Sequence, residues 1–301
     1  MTNTRESGSY VGRFAPSPTG PLHFGSLVAA VASYLQARTN GGRWLLRIED
    51  IDPPREVSGA SDRIIEALEK YGFEWDGPIH YQSASHSEHV KALQTLVEQK
   101  LAYRCNCSRR DLKDAPRGPQ GTIYPGTCRN GCEPGDAAIR LRTNDKESVF
   151  DDQLQGHISQ RLQSESGDFV IRRRDGLIAY HLAVVVDDEL EGISEVVRGI
   201  DLLDSTPRQI WLQSLLGYRT PKYMHIPVIT HSNGDKLSKL TGAPEISLDA
   251  IEKTLVAALT ALQQQPPPDL QEESIKNIWA WAEKHWQAGK LEGQRAILDS
   301  P

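Results

Sequence analysis

Two short segments near opposite ends of the chain carry residue types that suit phosphate chemistry. His23-Phe24-Gly25-Ser26 stands where a breaker-rich loop, Pro16 to Pro21, gives way to an amphipathic stretch. A histidine at a helix start donates hydrogen bonds to phosphate oxygens, a glycine admits close backbone approach, and the helix N-terminus favours an anion. Lys236-Leu237-Ser238-Lys239, behind the Asn233-Gly234 turn, offers two ammonium groups for a polyphosphate. Taken singly, each segment is better explained blandly, His23 as part of a turn and the lysines as a solvated loop. A third group is the chain's four cysteines, Cys105, Cys107, Cys128 and Cys132, all within one short stretch. Such clustering points to a metal in a reducing compartment rather than to a disulfide scaffold. Thiolates suit Zn²⁺, and ligand chemistry alone makes the four a Cys₄ zinc knot.

Elements of regular period must position these groups. Tyr10 to Ala15 reads as a strand. Leu27, Val28, Val31 and Leu35 then recur at helical spacing until Asn40-Gly41-Gly42. Trp44, Leu46 and Ile48 alternate with Leu45, Arg47 and Glu49 in a second strand. Strand, helix and strand in so short a span predict a βαβ unit and a parallel sheet. Helices are expected over Ser61 to Tyr71 and Ser87 to Lys100. The stretch from Leu101 to Asn144, rich in glycine and proline, has little periodicity and reads as an insertion without an apolar core. Regular signals return at Phe169 to Arg172, Leu182 to Val186 and Ile193 to Val197. Thr206-Pro207 reads as N-cap and first turn of a helix reaching Leu216. Asp249 and Glu252 form a capping-box pattern before Ile251, Leu255, Leu259 and Leu262, and an amphipathic segment from Ile275 to Trp286 follows Pro266 to Pro268.

The 301 residues, with 38% hydrophobic and 25% charged, are ordinary for a globular protein, and a formal charge of −6 gives no general basic character. No run of 18 apolar residues occurs, and Met1 to Tyr10 lacks the apolar core of a secretory signal. A cytoplasmic protein that makes no use of a membrane is expected.

Together the two phosphate-type segments say more than either alone. Pro16-Ser17-Pro18-Thr19-Gly20-Pro21-Leu22-His23-Phe24-Gly25 and Lys236-Leu237-Ser238-Lys239 resemble the paired ATP-binding signatures of class I aminoacyl-tRNA synthetases. Gly12 to Gly20, Leu46-Arg47-Ile48-Glu49-Asp50-Ile51-Asp52 and Val197-Arg198-Gly199 resemble the glutamyl branch. Only 62 residues follow Lys239, where full glutamyl-tRNA synthetases continue into an anticodon-binding part. A catalytic half with cysteines in its insertion is similar to the glutamyl-Q tRNA(Asp) synthetase family, which activates L-glutamate with ATP and attaches it to queuosine at the wobble position of tRNA(Asp). Two alternatives stand beside this: a truncated glutamyl-tRNA synthetase charging a tRNA 3′ end, and a catalytically idle tRNA-binding module.

The resemblance implies an α/β fold with a Rossmann-like doubly wound parallel sheet. Its expected layout is a first catalytic half at 1–100, an inserted zinc-containing acceptor-like module at 101–176, a second catalytic half at 177–240, and a small C-terminal helical part at 241–301. It also implies roles. His23 and Lys239 are the catalytic residues; with Gly25 and Lys236 they bind ATP, and Mg²⁺ accompanies the nucleotide. Ser26 stands where many class I enzymes carry a second histidine. Glutamate is held by the wall Arg13, Phe14, Ala15, Pro16 and Ser17, with Glu49, Tyr180 and Arg198. Arg198 takes the side-chain carboxylate, as a bidentate pair where geometry permits, and Glu49 balances the ammonium. Arg47 is left outside this set. An arginine facing a neutral amide rejects glutamine, whereas excluding aspartate rests on one methylene, about 1–3 kcal/mol. The family's zinc pattern matches Cys105, Cys107, Tyr124 and Cys128, with Cys132 as the alternative fourth ligand. The basic run Arg172-Arg173-Arg174 is a candidate contact for tRNA phosphates.

Overall fold

The computed structural model describes residues 9–118, 121–231, 236–237 and 244–298. Strand β1 (Val11–Phe14) is buried along its whole length, and the chain leaves it through the proline-rich loop to helix α1 (Phe24–Thr39). His23 is the N-cap, its ring accepting from the Ser26 N–H, and Gly41 at φ 60° turns the chain out of the helix. Strand β2 (Arg43–Ile48) then pairs parallel to β1, with Arg13 opposite Leu45 and Phe14 opposite Leu46. The expected strand–helix–strand unit is present.

Helix α2 (Ala60–Lys70) precedes β3 (His80–Tyr81), which extends the sheet in parallel beside β2. Helix α3 (His86–Glu98) leads into β4 (Ala102–Cys105), the tiny pair β5 (Arg117–Gly118) and β6 (Gly121–Thr122), and β7 (Ala138–Leu141). A hairpin follows, β8 (Glu147–Asp152) against β9 (Gly156–Arg161), and a short helix α4 (Leu162–Glu165) joins it to β10 (Phe169–Arg172). Helix α5 (Tyr180–Glu191), β11 (Glu195–Gly199), α6 (Thr206–Leu216), β12 (Lys222–Ile226) and β13 (Val228–Thr230) complete the second half. Helices α7 (Ile251–Ala261) and α8 (Ile275–His285) and strand β14 (Ala296–Leu298) end the described chain.

Strands β11 and β12 are parallel, and β12 lies beside β8, giving the order β11-β12-β8-β9. Strand β1 meets this sheet at the start of β11, where the Ser194 N–H donates to the Val11 carbonyl at 2.9 Å. The parallel strands of both chain halves thus run side by side, and the loops at their ends converge.

The main core lies between the sheet, α1 and the last two helices. Trp44, fully buried, stacks near Phe73 (5.4 Å) and meets Tyr34 edge-on, and its indole N–H reaches Ser33 Oγ at 3.0 Å. Trp279 of α8 donates to the Tyr71 carbonyl (2.9 Å) and Trp286 to Gln36 Oε1 (2.9 Å). The C-terminal helices therefore cover α1. Strands β4, β7 and β10 form an antiparallel sheet that shares a second core with α3, α5 and α6.

Leu182 to Val186, a signal of unassigned type, lies inside helix α5, buried all round, so its apolar run has no period to display. Other local expectations are corrected. The N-cap of α6 is Ser205, because the Thr206 hydroxyl is turned inward to other partners. Asp249 does not cap α7, whose N-cap is Ala250. Strands β4 and β7 give the 101–144 stretch regular structure that its sequence hides, and hairpin β8–β9 was not foreseen at all.

Candidate active site

One cleft of about 950 Å³ opens at the ends of β1 and β11. Its walls include Arg13, Phe14, Ala15, Pro16, Ser17, His23, Gly25, Glu49, Tyr180, Arg198 and Lys236, which unites the expected glutamate and nucleotide residues that are described. Lys239 lies outside the described residues. Strand β1 stops at Phe14, so Ala15 and Ser17 reach the cleft from a loop rather than along a strand face. The Glu49 N–H pins that loop by donating to the Pro16 carbonyl at 3.0 Å.

The two phosphate-type segments approach each other closely. A Cβ built on Gly25 would sit 3.3 Å from the His23 ring and 3.5 Å from the Leu237 carbonyl, so glycine keeps this crossing open. Leu237 is buried, held by its N–H to the Ile229 carbonyl at 2.7 Å. Lys236 sits at the mouth, its Nζ 2.6 Å from Asp201 Oδ2. His23 both caps α1 and faces the cleft, with the Ser26 hydroxyl 3.0 Å from its Nε2.

The Arg13 and Glu49 end of the cleft is a buried lattice of charge. Arg13 Nε donates to Asp188 Oδ1 (3.1 Å), and Arg47 Nη2 donates to the same oxygen (2.7 Å). Arg47 is wholly buried, also pairs with Glu191, and stands 4.0 Å from Glu49. Arg47 does not line the cleft; alternation places it on the face of Glu49, behind the wall, where it fixes Asp188 and thereby Arg13. Burial pushes the Glu49 carboxyl up to about 7, against the pull of Arg47 and Arg13. An arriving ammonium is the partner that would restore its charge. Burial also disfavours the Asp188 carboxylate, yet Arg13 and Arg47 hold it below the usual range.

Arg198 is 6% exposed and touches the Tyr180 hydroxyl through Nη1 at 3.4 Å. Its Nε and Nη2 are engaged by His225 and Thr206, so this arrangement presents one nitrogen, not the two-nitrogen edge that a bidentate pair requires. Sequence reasoning missed Asp188, Asp201, Arg55 and the partners of Arg198. The visible signal was Asp187-Asp188 inside an otherwise apolar helix, since buried acids need a cation or a hydrogen-bond donor.

The cysteine group lies apart, between β4 and the following loops. The sulfurs of Cys105, Cys107 and Cys128 all fall within 4.8 Å of one another. A tetrahedral zinc with Zn–S near 2.3 Å needs sulfurs roughly 3.8 Å apart, so the set fits that ion. The Tyr124 hydroxyl stands 3.3 Å from Cys105 Sγ and 3.7 Å from Cys107 Sγ, and Arg140 Nε donates to Cys105 Sγ at 3.2 Å. Cys132 packs beside this cluster without joining the convergent set. The Arg172–Arg174 run is tied into its own turn: Arg173 pairs with Asp52 (3.0 Å) and Asp175 (2.6 Å), and Arg174 donates to the Asn106 carbonyl.

Comparisons with known proteins show the family and the fold. Residues 10–254 match the family model of class I tRNA synthetases (E and Q), catalytic domain. A glutamyl-Q tRNA(Asp) synthetase of Pseudomonas fluorescens is 56% identical over 95% of this chain and 94% of its own length. That of Ectopseudomonas mendocina is 52% identical over 97% and 98%. The crystal structure of a glutamate-tRNA synthetase from Elizabethkingia anophelis superposes with a TM-score of 0.81 at 24% identity, covering 97% of this chain and 68% of that one, which shows the Rossmann-like class I fold. On this evidence the chain belongs to the class I tRNA synthetases of the glutamate and glutamine branch and, within it, to the glutamyl-Q tRNA(Asp) synthetase family.

Proposed function

We propose that this protein activates L-glutamate with ATP and transfers it to the queuosine of tRNA(Asp). The observation that carries the reading is the single cleft in which the Arg13–Glu49–Tyr180–Arg198 wall adjoins the α1 N-terminus and Lys236. In the first step the glutamate α-carboxylate oxygen attacks the α-phosphorus of ATP; the bond to the bridging oxygen breaks and pyrophosphate leaves. The nucleophile is already ionised at neutral pH, so alignment and charge stabilisation do the catalytic work. Arg198 and Arg13 take the two carboxylates, Glu49 the ammonium, and His23, Gly25 and Lys236 the phosphates, with Lys239 assigned there by its place in the motif. Mg²⁺ arriving with ATP neutralises phosphate charge. In the second step a cyclopentenediol hydroxyl of queuosine attacks the adenylate carbonyl carbon, passes on its proton and releases AMP. For this the base must be splayed from its loop.

The three thiols and the Tyr124 phenol form the proposed zinc site, with a structural role: closing a loop region whose described buried cluster is Tyr103, Cys105, Tyr124 and Cys128, with Cys107, Leu112 and Cys132 packed against it. A cytoplasmic location accords with four reduced cysteines, and no described helix is long and apolar enough to cross a membrane. Incubation with labelled glutamate, ATP and tRNA(Asp) that carries or lacks queuosine tests the whole reading. Label is expected only on the queuosine-bearing tRNA, in the anticodon loop. Label on the terminal adenosine favours 3′-end charging, and absence of glutamate-dependent ATP–pyrophosphate exchange favours an idle binding module.

A further inference from the structure

Three neighbouring strands carry a buried polar chain that ends at Arg198. Asp152 closes β8, His225 lies on β12 and Arg198 on β11; Arg198 is directly opposite His225 in register, and β12 pairs with β8 at Asp152. All three residues are buried, as is Thr206. Asp152 Oδ1 accepts the N–H groups of Leu154 and Gln155, each at 3.0 Å, and the His225 N–H is shared by Oδ1 and Oδ2 at 3.2 Å each. Its Oδ2 lies 2.6 Å from His225 Nδ1. His225 Nε2 is in turn 3.1 Å from both Arg198 Nε and Thr206 Oγ1, while Arg198 Nη2 donates to Thr206 Oγ1 (2.8 Å) and to the Leu202 carbonyl (3.3 Å).

A guanidinium only donates, so the histidine nitrogen facing Arg198 must carry no proton. The proton then sits on Nδ1 and is donated to Asp152. The imidazole is neutral, because burial pushes His225 down to about 4 in spite of Asp152. With Nε and Nη2 engaged, Nη1 is the nitrogen left beside Tyr180 at the cleft wall. We infer that Asp152 and His225 are positioning residues for glutamate recognition: Asp152 fixes the histidine tautomer, and that tautomer aims Arg198 Nη1 at a substrate carboxylate. The inference rests on the reading above that Arg198 receives glutamate.

Asp152→Asn is the sharpest test. Oδ1 is pinned by the Leu154 and Gln155 N–H groups, which Oδ2 does not accept, so the new amide nitrogen takes the place of Oδ2 and donates to His225 Nδ1, leaving the His225 N–H to Oδ1 alone. The ring proton must then move to Nε2, where it opposes Arg198 Nε–H and turns to Thr206 Oγ1, so Arg198 loses its acceptor on the ring. Side-chain volume hardly changes. In glutamate-dependent ATP–pyrophosphate exchange, KM for glutamate should rise roughly tenfold to a hundredfold, the range for losing a hydrogen bond to a buried charge. KM for ATP should stay put. His225→Phe should behave like Asp152→Asn, whereas His225→Gln, which keeps an acceptor for Arg198, should return KM for glutamate to within about threefold of the unaltered protein. Should circular dichroism show these variants unfolded, Thr206→Val, which deletes the nearer of the two acceptors for Nη2 and the hydroxyl beside His225 Nε2, must raise KM for glutamate selectively. Unmoved glutamate KM values, or glutamate and ATP KM values rising together, overturn the relay while leaving glutamate activation standing. Absence of exchange in the unaltered protein overturns the glutamate reading, and the relay's role with it.

Discussion

The cleft and the cysteine module solve the same problem, holding reactive side chains in place, by opposite means. Around the cleft, charged groups are fixed by strands and helix ends backed by a large apolar core that includes Trp44, Leu46 and Ile48. The module's strands β4, β7 and β10 lean on the second core, but among the described residues its cysteine end buries only Tyr103, Cys105, Tyr124 and Cys128 in a cluster of its own and relies on sulfur and phenol groups drawn to one point. Where apolar burial is ample, function sits on the ends of regular elements; where it is scarce, the function-like residues are themselves the scaffold.

This contrast can be broken from either side. The largest effect is expected from Trp44→Ala, which opens a cavity in the core shared by the sheet, α1 and α8. A loss of about 3–5 kcal/mol in denaturant unfolding is expected, with activity falling alongside folded protein. Next is Arg198→Ala, which leaves the cleft without its buried carboxylate partner. Glutamate-dependent exchange should drop by about 10²-fold or more, while the melting temperature changes far less. Cys105→Ser tests the other region: metal analysis should show the zinc lost, and hydrogen exchange should show strand β4 and the Tyr124 loop opening. Adenylate formation should fall only severalfold if the two regions are held independently.

The smallest and most graded effect is that of pH on glutamate affinity. Glu49, raised to about 7 by burial, is neutral below that value and ionised above it. The ammonium binds the ionised form, so affinity should be full well above pH 7. It should then weaken as pH falls through that value, by about tenfold per unit in the limit. Glu49→Gln should abolish this pH limb, with affinity lowered above pH 7 and little changed below it. A limb that persists in the variant assigns the titration to another group.

The motifs fixed much of this in advance. His23 to Ser26, Lys236-Leu237, Arg13 to Ser17, Glu49, Tyr180 and Arg198 were all legible as residues, and the strand–helix–strand start followed from hydrophobic period and glycine placement. A run such as Leu182 to Val186 hid its helix, because a segment buried on every side shows no periodicity. Hairpin β8–β9, exposed along much of its length, gave too little hydrophobic contrast to be seen.

What the sequence determined by itself is chemistry tied to consecutive residues: which groups can bind phosphate, carboxylate or zinc, and which caps and turns present them. Only the tertiary structure decided which buried charges share a partner. Arg13 and Arg47 meet on Asp188, and Arg198 is aimed through His225 by Asp152, because sheet order sets strands from distant parts of the chain side by side. A buried ion must find its counter-charge among whatever the fold brings near, and that neighbourhood is a property of strand register, not of local sequence.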